Sequence, residues 1–203
     1  MNTAPSTSSV QEKPVNIIVR VFHWSIAGLF IILFITGDNN DGSDFVHLYL
    51  GKLFVALILS RILWAFIGNE NALWKKYVYS PKRTLNYLIG LFKTEDKNYQ
   101  LHNPAGSSMI LLTMSLLLIL GITGILIESL FEFDGAFLFL SAHINEAQAF
   151  FIKDLHSFVA HAMLFVIAIH ISGVVYSSYA YKVNMPLMMI TGKVNFFKNR
   201  RKK

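Results

Sequence analysis

The sequence contains no cysteine. That excludes disulfides, thiolate-held iron–sulfur clusters, zinc knuckles and a covalently attached c-type haem, and it leaves the redox compartment unreadable from this residue. Charge is scarce as well. Only 15% of the 203 residues are charged while 54% are hydrophobic, and the mean hydropathy is +0.47, a balance outside that of ordinary soluble domains. These values describe a membrane protein. The formal charge of +6 comes from basic residues that flank apolar stretches, and no nucleic-acid module is recognisable, so no nucleic-acid partner is expected.

Residues 1–14 are small, polar and proline-containing, which predicts a disordered cytoplasmic N-terminus. The apolar run after them ends without a small-x-small site, which argues against a cleaved signal peptide. Four spans are predicted at about 16–36, 46–67, 103–127 and 154–180, making residues 15–181 an all-α, integral membrane four-helix bundle followed by a basic cytoplasmic tail over 182–203. A short surface helix is expected after Pro81, where Leu85, Leu88, Ile89 and Phe92 recur at i, i+3, i+4 and i+7. Asn103 and Pro104 suit the cap and first turn of the third span, and Gly121 and Gly124 allow close backbone approach. Residues 128–153 are apolar only in runs of about ten, too short to span, and read as an interfacial loop or helix over the outer mouth.

Lysine and arginine are lopsided. Fifteen of them lie in the N-terminal flank, the connection over 68–102 and the tail, against Lys153 alone in the two opposite connections. The positive-inside rule therefore puts both termini in the cytoplasm, with four spans among the membrane lipids.

Imidazoles at membrane depth are rare and costly, and they mark function. His156 and His170 lie 14 residues apart in the fourth span, within about 40° of one face and ~21 Å apart along the axis. His161 points about 140° from the first and about 180° from the second. Depth in the predicted topology sorts the others: His47 with His156 as an outer pair, His23 with His170 as an inner pair. Two bis-histidine haems b need that arrangement. Gly51, one turn beyond His47, together with Ala27, Gly28 and Gly173, supplies small residues for a slot. Arg61 is 14 residues inward of His47 and level with the inner pair, where it either meets a haem propionate or snorkels to the headgroups. Arg20, nearer the surface, is read as snorkelling.

A single transition-metal ion is the competing use of imidazole, but histidines ~21 Å apart cannot share one, and no carboxylate lies in the spans near them. His102 borders the inner interface as a substitute ligand, a propionate contact, a quinone neighbour or a hydrated loop residue. His143 is read as solvated, and Met188 with Met189 as packing at the membrane surface.

The motifs RVFHW (20–24), HLYLG (47–51), RILWAFIG (61–68), HNPAG (102–106), LH (155–156) with HISGV beginning 14 residues after that histidine, and MITGK (189–193) together resemble the bacterial cytochrome b561 and nickel–iron hydrogenase cytochrome b family over about residues 15–193. The resemblance implies a four-helix membrane cytochrome with two non-covalent haems b, ligated at His23, His47, His156 and His170. It also implies electron transfer between a quinone pool, ubiquinone or menaquinone, and a redox partner such as a soluble periplasmic cytochrome c. Two departures stand out. His161 is a histidine that the pattern does not ask for, and the further span usual in hydrogenase-type members is not found, which argues against a hydrogenase as partner. A superoxide:quinone oxidoreductase of the same fold would want a basic outer funnel, whereas Asp38, Asp41, Asp44, Glu128, Glu132, Asp134 and Glu146 make this face acidic. A haem-free metal or proton carrier is the remaining alternative.

Overall fold

The computed structural model describes residues 15–37, 44–67, 80–91 and 104–194. The expected disorder of 1–14, the cap Asn103, His102, Phe92, and the basic residues Lys75, Lys76, Lys93 and Lys97 lie outside that set, as do Asp38, Asp41 and the tail after 194.

The protein is all-α among the described residues, with helices α1 (Ile17–Thr36), α2 (Asp44–Ile67), α3 (Pro81–Leu91), α4 (Pro104–Ile127), α5 (Glu146–Tyr181) and α6 (Met185–Thr191). Four of them are long and apolar enough to cross a membrane. Local chemistry sets their ends. The Asn16 side chain accepts from the Ile18 N–H at 2.9 Å to open α1, and the Gly37 N–H closes it on the Leu33 carbonyl at 2.9 Å. The expected surface helix exists as α3, tied to α4 through the hydroxyls of Thr84 and Ser108, 3.0 Å apart.

The spans pack side by side in the order α1, α2, α4, α5. Their shared core is Ile26, Phe30 and Leu33 from α1, Phe54 and Ile58 from α2, Leu117 and Leu120 from α4, and Val159 and Met163 from α5. Lipid tails are as apolar as these side chains, so the bundle is held by close packing rather than by exclusion of water. Gly121 shows how close. A Cβ added there would sit 3.1 Å from Val55 Cγ2, so glycine is what lets α4 lie on α2.

The connection near the His47 end differs from expectation. The helix of α4 continues through a wider π-type turn at Glu128–Glu132, so the third apolar helix runs from Pro104 to Glu132. The fourth begins at Glu146, not near 154, because Asn145 and Gln148 form a reciprocal capping box, with bonds of 2.9 and 3.0 Å. Residues 133–145 alone make the connection, with left-handed backbone at Phe133 and a φ of +96° at Gly135. Glu128 therefore does not join an exposed acidic face. The prolonged helix carries it into the α2–α4 interface, where it is 4% exposed and its carboxylate meets Lys52 Nζ at 2.6 Å. A buried carboxylate without a cation would be strongly unfavourable, and Lys52 supplies the cation.

At the opposite end α6 folds back against α1. The Val15 N–H donates to the Gly192 carbonyl at 3.0 Å, the Trp24 indole N–H to the Met189 carbonyl at 3.2 Å, and the Arg20 guanidinium to the Ile190 carbonyl. Arg20 thus fastens the C-terminal segment instead of snorkelling. The Met188 side chain is buried and Met189 half-buried, in line with the packing role expected of them.

Candidate functional site

α5 contributes one histidine to each of two clusters, and its partners come from two different helices. His47 on α2 and His156 on α5 have ring centroids 6.4 Å apart with planes at 74°. His23 on α1 and His170 on α5 also stand 6.4 Å apart, with planes at 49°. The structure brings together the four histidines that depth had sorted, in the same two pairs.

Hydrogen bonding fixes which nitrogen each member of the first pair presents. His47 Nδ1 lies 3.0 Å from the Leu33 carbonyl, which can only accept, so Nδ1 carries the proton and Nε2 keeps its lone pair. Thr123 does the same for His156. Its hydroxyl donates to the Ile119 carbonyl at 2.8 Å and so accepts from His156 Nδ1 at 2.7 Å. The lone pair of His156 is then on Nε2. Gly124 lies beside this ring, where an added Cβ would stand in van der Waals contact 3.4 Å from His156 Cε1. The second pair is held differently. His23 Nδ1 is buried without a hydrogen-bond partner, and its ring meets the Trp24 ring edge-on at 5.2 Å and 88°.

Bis-imidazole ligation can be tested against these distances. Two imidazole–metal bonds of about 2.0–2.1 Å, each ending at a nitrogen roughly 1.1 Å from its ring centre, put the centres of two rings on one metal about 6.3 Å apart. Both pairs match that span. Among the described residues no three His, Asp or Glu side chains converge on a point, so each pair offers two imidazoles and would suit a metal whose remaining ligands come from a macrocycle. Space for a flat group exists beside them. Gly51 and Gly173, one turn from His47 and His170, face open volume, with nothing within 4 Å of an added Cβ, as does Gly28.

Arg61 is half-buried, its guanidinium carbon 6.0 Å from the centre of the Phe22 ring, which places it beside the residue preceding His23. His161 belongs to neither pair: it is exposed, donates from Nδ1 to its own helix at the Ser157 carbonyl at 2.8 Å, and meets Phe34 edge-on at 5.4 Å. His143 is exposed, as expected, with Nδ1 3.3 Å from the Phe139 carbonyl. Sequence reasoning missed Thr123, the Leu33 carbonyl and the α6 contacts. A main-chain acceptor has no signature in a sequence, and Thr123 reads there as one more small residue of a spanning helix.

A bundle of four membrane helices that stacks two imidazole pairs along one of them has the form of a membrane cytochrome b. The chain belongs to the prokaryotic cytochrome b561 family, whose sequence profile matches residues 15–192. It is thus a multi-pass membrane protein of a family that binds haem b and carries electrons. A probable Ni/Fe-hydrogenase B-type cytochrome subunit of Bradyrhizobium diazoefficiens is 30% identical over 124 residues, 48% of this chain and 48% of that protein. One of the same description from Rhodobacter capsulatus is 25% identical over 227 residues, 92% of this chain and 81% of the relative. The chain thus matches about half the length of the first and most of the second. No solved structure matches it significantly.

Proposed function

We propose that the protein is a dihaem cytochrome b of the bacterial inner membrane that moves electrons between the quinone pool and a redox partner protein. The observation that carries this reading is the repetition of one geometry at two depths: two histidine pairs with the same 6.4 Å separation, spaced along a single helix. His47 with His156 and His23 with His170 would be the axial ligands, and the haems would supply the one-electron chemistry. The protein's own work is to present Nε2 lone pairs, to keep water from the irons and to tune them through the hydrogen bonds at Leu33 and Thr123. Gly51 would clear the slot beside His47. Arg61 would neutralise a propionate of the His23–His170 haem, its closeness to Phe22 supporting that level.

The lysine and arginine asymmetry supports cytoplasmic termini, hence a His47–His156 haem toward the periplasm. A bundle over 15–181 with the tail from 182 outside it remains our division of the chain, although α6 returns to touch α1. The names of the two relatives point to service in a larger oxidoreductase, and a soluble periplasmic cytochrome c is the other candidate partner. Ubiquinone or menaquinone would exchange electrons at the edge of one haem.

The test is a reduced-minus-oxidised spectrum of the detergent-purified protein with extracted haem counted per chain, repeated on His47→Ala. Two haems b in the parent, low-spin in both redox states, and one in the variant are expected. One haem in the parent would refute the pairing, and none would return the chain to the metal or proton carrier.

A further inference from the structure

The two histidine pairs are held in place by unlike means, and the difference points to a role for the C-terminal segment. His47 and His156 are oriented by hydrogen bonds at Nδ1, one to the Leu33 carbonyl and one to Thr123. His23 has no such bond, and its Nδ1 is buried unpaired. Its ring meets the neighbouring Trp24 edge-on. Trp24 is in turn tethered to the Met189 carbonyl, Arg20 one turn earlier to the Ile190 carbonyl, and Val15 to the Gly192 carbonyl. Three bonds thus bind the residues on either side of His23 to the carbonyls of Met189, Ile190 and Gly192, at the end of α6 and its cap.

Gly192 is the pivot of that contact. Its φ is +78°, where a side chain is strained, and a Cβ there would come within 3.0 Å of Arg20 Cζ and 3.2 Å of Arg20 Nε. Glycine suits this backbone conformation and leaves the guanidinium room to lie against the chain. Behind it Val183 is fully buried and Met188 nearly so, which seats α6 firmly on the bundle.

We propose that α6 is a clamp that positions His23: Gly192 and Arg20 dock the segment on α1, and Trp24, fixed by the Met189 carbonyl, sets the plane of the His23 imidazole toward its partner His170. Trp24, Arg20 and Gly192 are positioning residues in this arrangement, and none of them touches the metal. The inference rests on the His23–His170 haem of the reading above. It adds that the loading and ligand geometry of that haem depend on a segment beyond the four spans, while the His47–His156 haem does not.

The experiment uses the full-length haem-loaded protein in detergent and measures haem release to excess apomyoglobin together with the low-spin electron paramagnetic resonance signals. Gly192→Val should undock α6, and Trp24→Phe should keep the aromatic edge while losing the indole N–H. In a His47→Ala background, which isolates the His23–His170 haem, each substitution should speed release by about tenfold or more and shift that haem's signal. In a His23→Ala background the same substitutions should leave release of the other haem within about twofold of its unsubstituted control, a loss well short of what removing an outer-shell partner causes. Unchanged release and signals in both backgrounds would overturn the clamp, and so would equal loosening at both sites, which is mere loss of stability. If Gly192→Val does not yield folded protein, Trp24→Phe alone decides between these outcomes. A His23→Ala protein that keeps two intact haems would overturn the ligand assignment itself, a result distinct from a clamp that fails on a correctly assigned haem.

Discussion

Replacing Thr123 by valine preserves the branched shape and deletes one oxygen, the acceptor 2.7 Å from His156 Nδ1. An axial imidazole that donates from its far nitrogen is a stronger ligand for ferric than for ferrous iron, so the bond should lower the potential of the His47–His156 haem and its loss should raise it. A net hydrogen bond is worth ~0.5–1.5 kcal/mol. A tenfold change, about 1.4 kcal/mol, equals 59 mV for one electron, so ~1 kcal/mol expressed fully in the redox difference is about 40 mV. Spectroelectrochemical titration of the purified protein should resolve two one-electron waves, one of them moved upward by roughly 20–60 mV in Thr123→Val. Thr123→Ser, which restores the hydroxyl, should titrate like the parent. A valine variant in which neither wave moves, or in which both move together, would refute the assignment of Thr123 to a single haem.

Further outcomes follow from the same geometry. His156→Ala should retain one haem b of two, counted by extraction, since His47 then faces an empty position. His161→Ala should keep both haems with unaltered spectra, because its ring belongs to neither pair; loss of one would overturn the pairing. Lys52→Ala leaves the buried Glu128 carboxylate without its cation and should lower the melting temperature in detergent, with partial recovery in the Lys52→Ala, Glu128→Ala double variant. Gly121→Val forces a branched side chain against Val55 and should cost about 1–3 kcal/mol of stability, read from the melting temperature.

Hydropathy alone revealed the four spans, because twenty apolar residues in a row have few other uses, and depth along them sorted His47 with His156 and His23 with His170. Both inferences rest on periodicity and length, which a linear sequence displays. Glu128 shows where that stops. Its carboxylate looked like the edge of a loop, yet the helix continues through it, and its partner Lys52 stands 76 residues earlier on another helix. Arg20 misled for a related reason. A cation near a membrane surface has water as its default partner, and only the return of α6 supplies the Ile190 carbonyl. Thr123 was hidden because a hydroxyl in a spanning helix usually bonds its own backbone, as this one also does at Ile119.

Because one unbroken helix, the 36-residue α5, bears a histidine of each pair, the spacing of His156 and His170 is set by helical rise. Fourteen residues at ~1.5 Å act as a ruler of ~21 Å that neither loop motion nor side-chain rearrangement can stretch. The ruler is also quantised. Inserting or deleting one residue between His156 and His170 would turn one imidazole about 100° away from its partner, whereas seven residues would restore the face to within about 20° and alter the gap by ~10 Å. In the proposed dihaem cytochrome the spacing of the two ligand pairs would therefore be laid down by the backbone of α5 before any cofactor arrives.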